Sequence, residues 1–569
     1  MADVRAALHR QLGSRATVVP DLRAGVVLGV ESVPDGLASG LLAGVNPVYG
    51  LYAYLVGTVA GAAATSSAYM AVQATSAMAV IISDVPATQA GPDAGRALAT
   101  LALLTGVVML GLGLFRLGWL VRFVPNSVLT GFINAVAVNI VLGQLDNLTG
   151  YDNQGANRVI RSLDTLLHIT SFSWASVAVG LGTVVIILVL ERTPVGPLGL
   201  VVAVVVTSAV AALLHLDSVQ TISDIADVPR ALPTPALPDL AMTGTLLIPA
   251  LSLAFVGLVQ GAGISHSVPN PDGEYPDASG DFRGQGVANI AAGFFQAMPV
   301  GGSTSATALI RVAGARTRVA NLAAGVVMAL SILLFGDVIG YVAMPALAGL
   351  LILIGVRTFK PNEVMMVWRT GSTQAAVMTV TFVLTLIIPL QYAVLVGVGL
   401  SVILHVARQS NKITVKRWRF TPGAVLPDEE DPPAVLDPGK VIVLMPYGSL
   451  FFAAAPVFEA QLPAVTPDSR GSVVIVRLRG KDELGSTFIK ALGRYAAALA
   501  AVDSRLVLVG VGPRVYDQLA ATRTLDHLGP DAVYRARRRL GDSLAAALTD
   551  AQAWTADHQP GPPHPDEEA

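Results

Sequence analysis

The chain has 569 residues, 53% of them hydrophobic and only 13% charged, with a mean hydropathy of +0.62 and a net charge of −2. Average soluble chains carry about 25% charged residues, which excludes a wholly water-soluble protein, and near-neutral charge argues against nucleic acid as a partner. With no cysteine, a disulfide framework, thiolate metal sites and a cysteine nucleophile are excluded as well.

The composition has two regimes. Gly25 to Ile82 contains only Glu31 and Asp35 as charged residues, whereas Thr421 to Ala569 reads as ordinary soluble protein. Met1 to Pro20 is polar and basic with no apolar run, so the first apolar segment is expected to act as its own insertion signal. Apolar stretches then recur at Gly25–Ala43, Gly50–Ala64, Ala71–Ile82, Ala97–Gly113, Val124–Leu145, Trp174–Leu190 and Leu198–Leu214. A second series follows at Leu246–Ile264, Val287–Met298, Thr304–Val312, Val319–Leu334, Val338–Gly355, Ala375–Ile388 and Tyr392–Ala407. A full crossing takes about 20 apolar residues, and the third and tenth stretches are too short for one. They are either continuations of their neighbours or half-helices. Both follow turns rich in glycine and hydroxyls, Thr65 to Ser76 and Pro299 to Thr307. Short interrupted segments at matching places in two halves point to a binding site between inverted repeats, although Gly and Ser also serve plain helix packing in membranes.

Lys and Arg placement sets the orientation. Arg116 and Arg122, then Arg311, Arg316 and Arg318, then Arg357, Lys360 and Arg369, and finally Arg408, Lys412, Lys416, Arg417 and Arg419 all fall on the side of the N-terminus. The other side carries few cations (Arg96, Arg158, Arg161, Arg230) and several acids. Both termini are therefore expected in the cytoplasm, with the protein multi-pass in the inner (plasma) membrane.

Asp21 to Gly25, Val33-Pro34 and Leu41 to Tyr52 resemble the SulP (SLC26) family of anion transporters. So do Leu232 to Leu240, Ala288 to Phe295, and the run from Pro299 that ends Ala313-Gly314-Ala315-Arg316-Thr317-Arg318. The resemblance implies a helical polytopic fold of about fourteen segments in two inverted repeats of seven, with half-helices at segments 3 and 10. It also implies a core (segments 1–4 and 8–11) that moves against a gate (segments 5–7 and 12–14), and a homodimer. Its domains would be a cytoplasmic segment 1–20, a transporter domain 21–410, a linker 411–438, a cytoplasmic STAS-like domain 439–555 and a disordered tail 556–569.

Helix N-termini attract anions without a formal cation. Candidate anion-binding groups are Gln73, Ala74, Thr75 and Ser76 on the third segment, and Gly302, Ser303, Thr304 and Ser305 on the tenth. The competing reading has the hydroxyls bond back to their own helix. Many relatives have a glutamate where Gln260 stands, and an arginine where Ala306 stands. Both departures weaken proton coupling through the eighth segment and tight binding of a dianion. In the first segment Glu31 and Asp35 lie four residues apart on one face; an ionisable residue within a membrane is a functional candidate by default. Asp35, Glu31 and Gln260 are the coupling or gating candidates; the bland alternative for an acid here is to solvate a vestibule.

Beyond Trp418, strands are expected at Val441–Leu444, Val473–Leu478 and Arg505–Val511, with helices at Ser486–Ala501, Pro513–Leu519 and Tyr534–Ala551. Ser486 reads as a helix N-cap, and the acidic loop Pro269 to Asp277 as a solvated turn. No phosphate loop or nucleophile elbow is present, so neither an enzyme nor a cofactor is expected. The expected function is transport of a small inorganic anion (sulfate, bicarbonate or chloride) by symport or exchange, with a proton or sodium as the coupling ion and the lipid bilayer as surroundings. A dicarboxylate or nucleobase carrier of the same fold, and a membrane sensor signalling through the C-terminal domain, are the alternatives.

Overall fold

The computed structural model describes residues 15–558, except 90, 92, 120–123, 156, 194–195, 226–227, 229, 391, 394–395, 397–398, 401–402, 405, 408–412, 422, 424–425 and 451. The chain forms two compact units, Met1–Ser401 and Val402–Ala569.

The first unit is helical. Helix α1 (Arg15–Leu42) runs through Pro20 and Pro34; each proline removes a donor from the helical ladder. Helix α2 (Pro47–Ala64) starts where the Asn46 side chain accepts from the Val48 N–H at 2.9 Å, with proline at the first helical position. Then come strand β1 (Ala71–Gln73) and the short helix α3 (Ser76–Ser83), followed by α4 (Ala94–Leu114), α5 (Asn126–Leu142), α6 (Trp174–Leu190) and α7 (Gly199–Leu213). The second half repeats the order: α8 (Thr243–Ser267), α9 (Ala278–Phe294), strand β2 (Gly301–Ser303), the short helix α10 (Thr304–Val312), α11 (Val319–Gly340), α12 (Met344–Thr358) and α13 (Ser372–Ile387). The third and tenth segments are thus half-helices, each reached through a three-residue strand. Among the described residues seven helices are long and apolar enough to cross a membrane, and α6, α7 and α13 are shorter apolar helices.

One expected segment is divided here, and another lies largely outside the described residues. Val338–Gly355 is not one segment: Val338, Ile339 and Gly340 close α11, and α12 begins at Met344 with Pro345 in its first turn. The fourteenth segment, expected at Tyr392–Ala407, falls in good part on residues outside those described, as do Arg122, Arg408, Lys412, residues 1–14 and residues 559–569. Helix α9 packs along α4 and α11 along α1, with α2 between α1 and α9.

The second unit is a six-stranded sheet in the order β4-β3-β5-β6-β7-β8, formed by β3 (Thr414–Arg419), β4 (Asp428–Glu430), β5 (Val441–Tyr447), β6 (Val473–Arg477), β7 (Arg505–Val511) and β8 (Val533–Arg535). The strands from β5 to β8 pair in parallel, and β3 is antiparallel to both its neighbours. Helix Ser486–Ala500 covers one face through Phe488 and Leu492, and helix Asp542–Asp557 covers the other through Leu544, Ala547 and Ala551. Strands buried on both faces read as continuous apolar runs, which is why β5, β6 and β7 were visible in the sequence.

The stretch 411–438, expected as linker, instead holds β3 and β4. Lys416, Arg417 and Arg419, counted above as membrane-flanking cations, lie on β3, where Lys416 pairs with Asp431 (2.7 Å) and Arg419 with Glu430 (3.0 Å). Tyr534, expected to open a helix, lies on β8, and the following helix starts only after Gly541, whose φ of 99° ends any continuous helix there. Ser486 is not the cap of its helix: Gly485 occupies that position and no side chain caps it. The expected tail 556–569 begins inside the last helix, which continues to Asp557.

Candidate functional site

The site is built where β1 and β2 meet. They pair antiparallel, Ala71 with Ser303, Val72 with Gly302 and Gln73 with Gly301, so the two short helices that follow them start from one crossing. Their first turns offer N–H groups that precede intrahelical bonding; in α3 the first such bond runs from Ala79 N–H to the Thr75 carbonyl at 2.9 Å.

Close approach of backbones makes the crossing possible. Strand β1 lies on α2 at Gly57 and Gly61, where an added Cβ would come within 2.7 Å of the Val72 carbonyl oxygen and 2.5 Å of Val72 Cγ2. Strand β2 lies on α8: a Cβ on Gly302 would sit 3.0 Å from Gly261 Cα. Small residues at helical spacing serve such contacts in membranes.

The hydroxyls that lead into the two short helices act as caps. Thr75 accepts from Met78 N–H at 3.4 Å and Ser303 accepts from Ala306 N–H at 3.3 Å. Thr75 also donates to Gln260 Oε1 at 2.9 Å, which ties α8 to the start of α3. Ser303 and Ser305 hydroxyls lie 3.2 Å apart, and Thr304 and Ser305 are exposed. Ser76 is half-buried. Thr307 bonds back to the Ser303 carbonyl at 2.6 Å, as the competing reading of these hydroxyls has it. Gln73 is turned away from the crossing: its amide is buried and donates to Ser32 (3.0 Å) and Thr58 (3.2 Å). Ala74 is buried, and its carbonyl accepts from Ser39 at 3.5 Å.

Those contacts place Asp35. Ser32, Asp35 and Ser39 form one stripe of α1 at helical spacing, and the two serines meet Gln73 and Ala74. Asp35 therefore shares the stripe of α1 whose serines meet Gln73 and Ala74, with Glu31 one turn before it. Asp35 Oδ1 is closed off from solvent and has no hydrogen-bond partner among the described residues. Tyr54, held by Ser39 at 3.2 Å, is within electrostatic reach of both acids.

Several residues that fix the crossing were not singled out in the sequence. Gln285 Oε1 accepts from Gly302 N–H at 3.0 Å, and Asn289 clamps Val300 from both sides, accepting from its N–H (2.9 Å) and donating to its carbonyl (2.6 Å). Asp281 accepts from Ser66 N–H, Ser66 Oγ and Ser67 N–H at 2.7–2.9 Å and from Ser265 Oγ at 2.6 Å, so it moors the turn before the third segment to α8 and α9. Residues 281, 285 and 289 repeat every fourth position along α9 and all are fully buried. That polar stripe in a small-residue helix was the available signal. Asn270 accepts from Ala68 N–H at 2.8 Å and Asp277 caps α9, so the ends of the loop expected as a solvated turn are docked, and its middle, residues 271–275, is exposed. Among the described residues no cluster of ligands suits a metal ion.

The comparisons with known proteins agree with this architecture. The chain is 28% identical over 404 residues to "Sulfate transporter 4.1, chloroplastic" of Arabidopsis thaliana, covering 69% of this chain and 58% of that protein, so it spans less than two thirds of that relative's length. It is 26% identical over 516 residues to the Bacillus subtilis protein YvdB, covering 90% of this chain and 94% of the other. The fold is that of the murine Solute Carrier 26 family member A9 anion transporter, solved in an inward-facing state: TM-score 0.84 at 19% identity, over 95% of this chain and 92% of that one. With seven helices long and apolar enough to cross a membrane among the described residues, the protein is a multi-pass membrane protein carrying a C-terminal α/β domain. The model of the Sulfate permease family matches residues 19–381, more than half of the chain and all of its paired strands and short helices from β1 to α10, and the chain belongs to that family.

Proposed function

We propose that this chain is a secondary transporter that carries a small inorganic anion across the cytoplasmic membrane by alternating access. The observation that carries the reading is the β1–β2 pairing, which sets the starts of α3 and α10 at the two ends of one short antiparallel sheet. A helix N-terminus holds an anion by its N–H groups and partial positive charge, and two from opposite repeats can do so between both faces of a membrane. Ser76, Ser303, Thr304 and Ser305 frame the anion, Thr75 and Ser303 hold the first turns in shape, and Ala74 and Gly302 supply backbone. Gln73 supports the crossing from behind. The names of the relatives, among them a sulfate transporter and an anion transporter, fit this substrate class.

Ala306 and Gln260 leave the crossing without a cation of its own, and Asp35 and Glu31 stand beside it. Such a site favours a singly charged anion such as bicarbonate or chloride, or a sulfate that enters together with a cation. A proton or sodium ion taken up at Asp35 and Glu31 would supply that charge, with Gln260 as the link between α8 and the Thr75 cap. The core of segments 1–4 and 8–11 moves against a gate of segments 5–7 and 12–14. Both termini face the cytoplasm, and the working unit is a homodimer.

Uptake of labelled sulfate, bicarbonate and chloride by the purified protein in proteoliposomes tests the reading. Saturable uptake of at least one of them, lost in Ser303→Leu, is the expected result. Uptake no faster than into empty vesicles for all three would leave a carrier for another solute or a sensor.

A further inference from the structure

Asp84 follows the last turn of α3, at the end remote from the crossing. Its carboxylate meets two elements far away in sequence. Oδ1 lies 3.0 Å from Nη2 of Arg158, the first residue of the connecting helix Arg158–Leu167 between α5 and α6. Oδ2 accepts from the backbone N–H of Leu390, just beyond α13, at 2.8 Å. The same guanidinium donates to the Val80 carbonyl at 3.3 Å and to the Ser83 hydroxyl. Arg158 thus covers the carbonyl end of the half-helix, where the helix carries partial negative charge. The paired side chains are only 16% and 18% exposed, and Leu390 is fully buried. An ion pair sheltered to this degree holds its geometry, and removing one partner leaves the other charge poorly compensated.

By the chain's course these contacts lie on the membrane face opposite the N-terminus, since α3, α5 and α13 all run toward it. We propose that Asp84 is a latch: it fastens the outer end of the half-helix to Arg158 and to the start of the fourteenth segment, and the anion site opens toward that face only when both contacts part. The proposal rests on the reading above in which α3 belongs to the moving core, and the connection after α5 and the segment after α13 belong to the gate. Opening then leaves Arg158 unpaired at the mouth, where its charge draws anions toward α3.

The chain has no cysteine, so Thr304→Cys provides one thiol at the exposed start of α10. In full-length protein reconstituted in vesicles, a membrane-impermeant maleimide added at the face opposite the N-terminus reports how often the site opens there. Labelling is expected to rise about tenfold in Asp84→Asn and in Arg158→Gln, and no further when the two are combined. Asp84→Glu, which keeps a charge for Arg158 and an acceptor for the Leu390 N–H, is expected to stay at the parent rate. Unchanged labelling in both single variants overturns the latch, and so does an additive double variant. Anion uptake by the parent chain without the reporter separates the two ideas. No uptake refutes the transport reading whatever the labelling shows; normal uptake with unchanged labelling refutes the latch alone.

Discussion

Thr75 and Ser303 do the same work beyond opposite ends of a short sheet: each caps the half-helix that follows a strand, by accepting from a first-turn N–H group. Ser303→Ala should therefore lower stability by about 1 kcal/mol through loss of the cap, read as a lower Tm of the detergent-solubilised protein, with uptake reduced. If the proposed site is right, Ser303→Leu should abolish uptake at unchanged expression by putting bulk in the anion's proposed path; wild-type uptake would remove α10 from the site. Asp35→Asn keeps the shape of a side chain whose Oδ1 is closed off from solvent. It should retain anion binding and lose the pH or sodium dependence of net uptake, measured across a pH series with and without a sodium gradient. The hydroxyl-rich turns and the two lone acids were legible in the sequence because such groups are rare and expensive in an apolar stretch. Gln285 and Asn289 were not, since their partners are backbone atoms at positions 300 and 302 that only the folded crossing supplies. Gln73 was legible as polar but not in direction, because its partners Ser32 and Thr58 come from two other helices.

For the elements, the tolerance of each glycine follows what its missing side chain would strike. Gly57→Ala drives a methyl into the Val72 carbonyl, and Gly261→Ala meets Gln285 Nε2 at 2.2 Å, whereas Gly263 has open space. Overpacking of this kind costs about 1–3 kcal/mol. The expected order of Tm is therefore Gly263→Ala near wild type, then Gly261→Ala, where a side chain can yield, then Gly57→Ala, where backbone cannot. In the α/β unit, Tyr534 on β8 donates to Asp550 at 2.6 Å, and burial, then the Asp550 carboxylate, pushes its phenol up to about 12. A folded value above the unfolded value of about 10 means that this tie contributes fully below pH ~10 and is lost as pH rises through about 12. Tyr534→Phe should remove that alkaline component, seen in an ultraviolet absorbance titration of the phenols. Element boundaries were legible where apolar runs met polar turns, and failed where a run continued through the true break, as from Val338 to Gly355. They also failed where a strand had an ordinary polar composition, as in β3.

Taken whole, the molecule divides earlier than composition suggests, since β3 and β4 belong to the α/β sheet. A chain ended at Lys440 keeps those two strands but loses β5, against which Val415 and Trp418 are registered, and so presents an unpaired edge of the kind that invites aggregation. A chain ended at Lys412 carries no such edge. The shorter product should be the better behaved of the two on size-exclusion chromatography in detergent; the reverse order would place the true boundary after β4.

The β1–β2 pairing also governs the order in which the protein can be made. Gln73 and its partner Gly301 are separated by about 230 residues, and ribosomes add roughly 5–20 residues per second. The first half of the crossing thus waits on the order of tens of seconds for the second. During that time β1 is a strand without its mate at membrane depth, where unpaired backbone groups are costly. The first repeat alone has no counterpart strand to offer, so its half-helix must stay shielded by neighbouring helices or the insertion machinery until α8 to α10 arrive. Closure of the site accordingly waits for the second repeat and cannot precede synthesis of Val312, past the middle of the chain. Slow or interrupted synthesis between residues 73 and 301 should send more of the chain to degradation than a pause of equal length after residue 312.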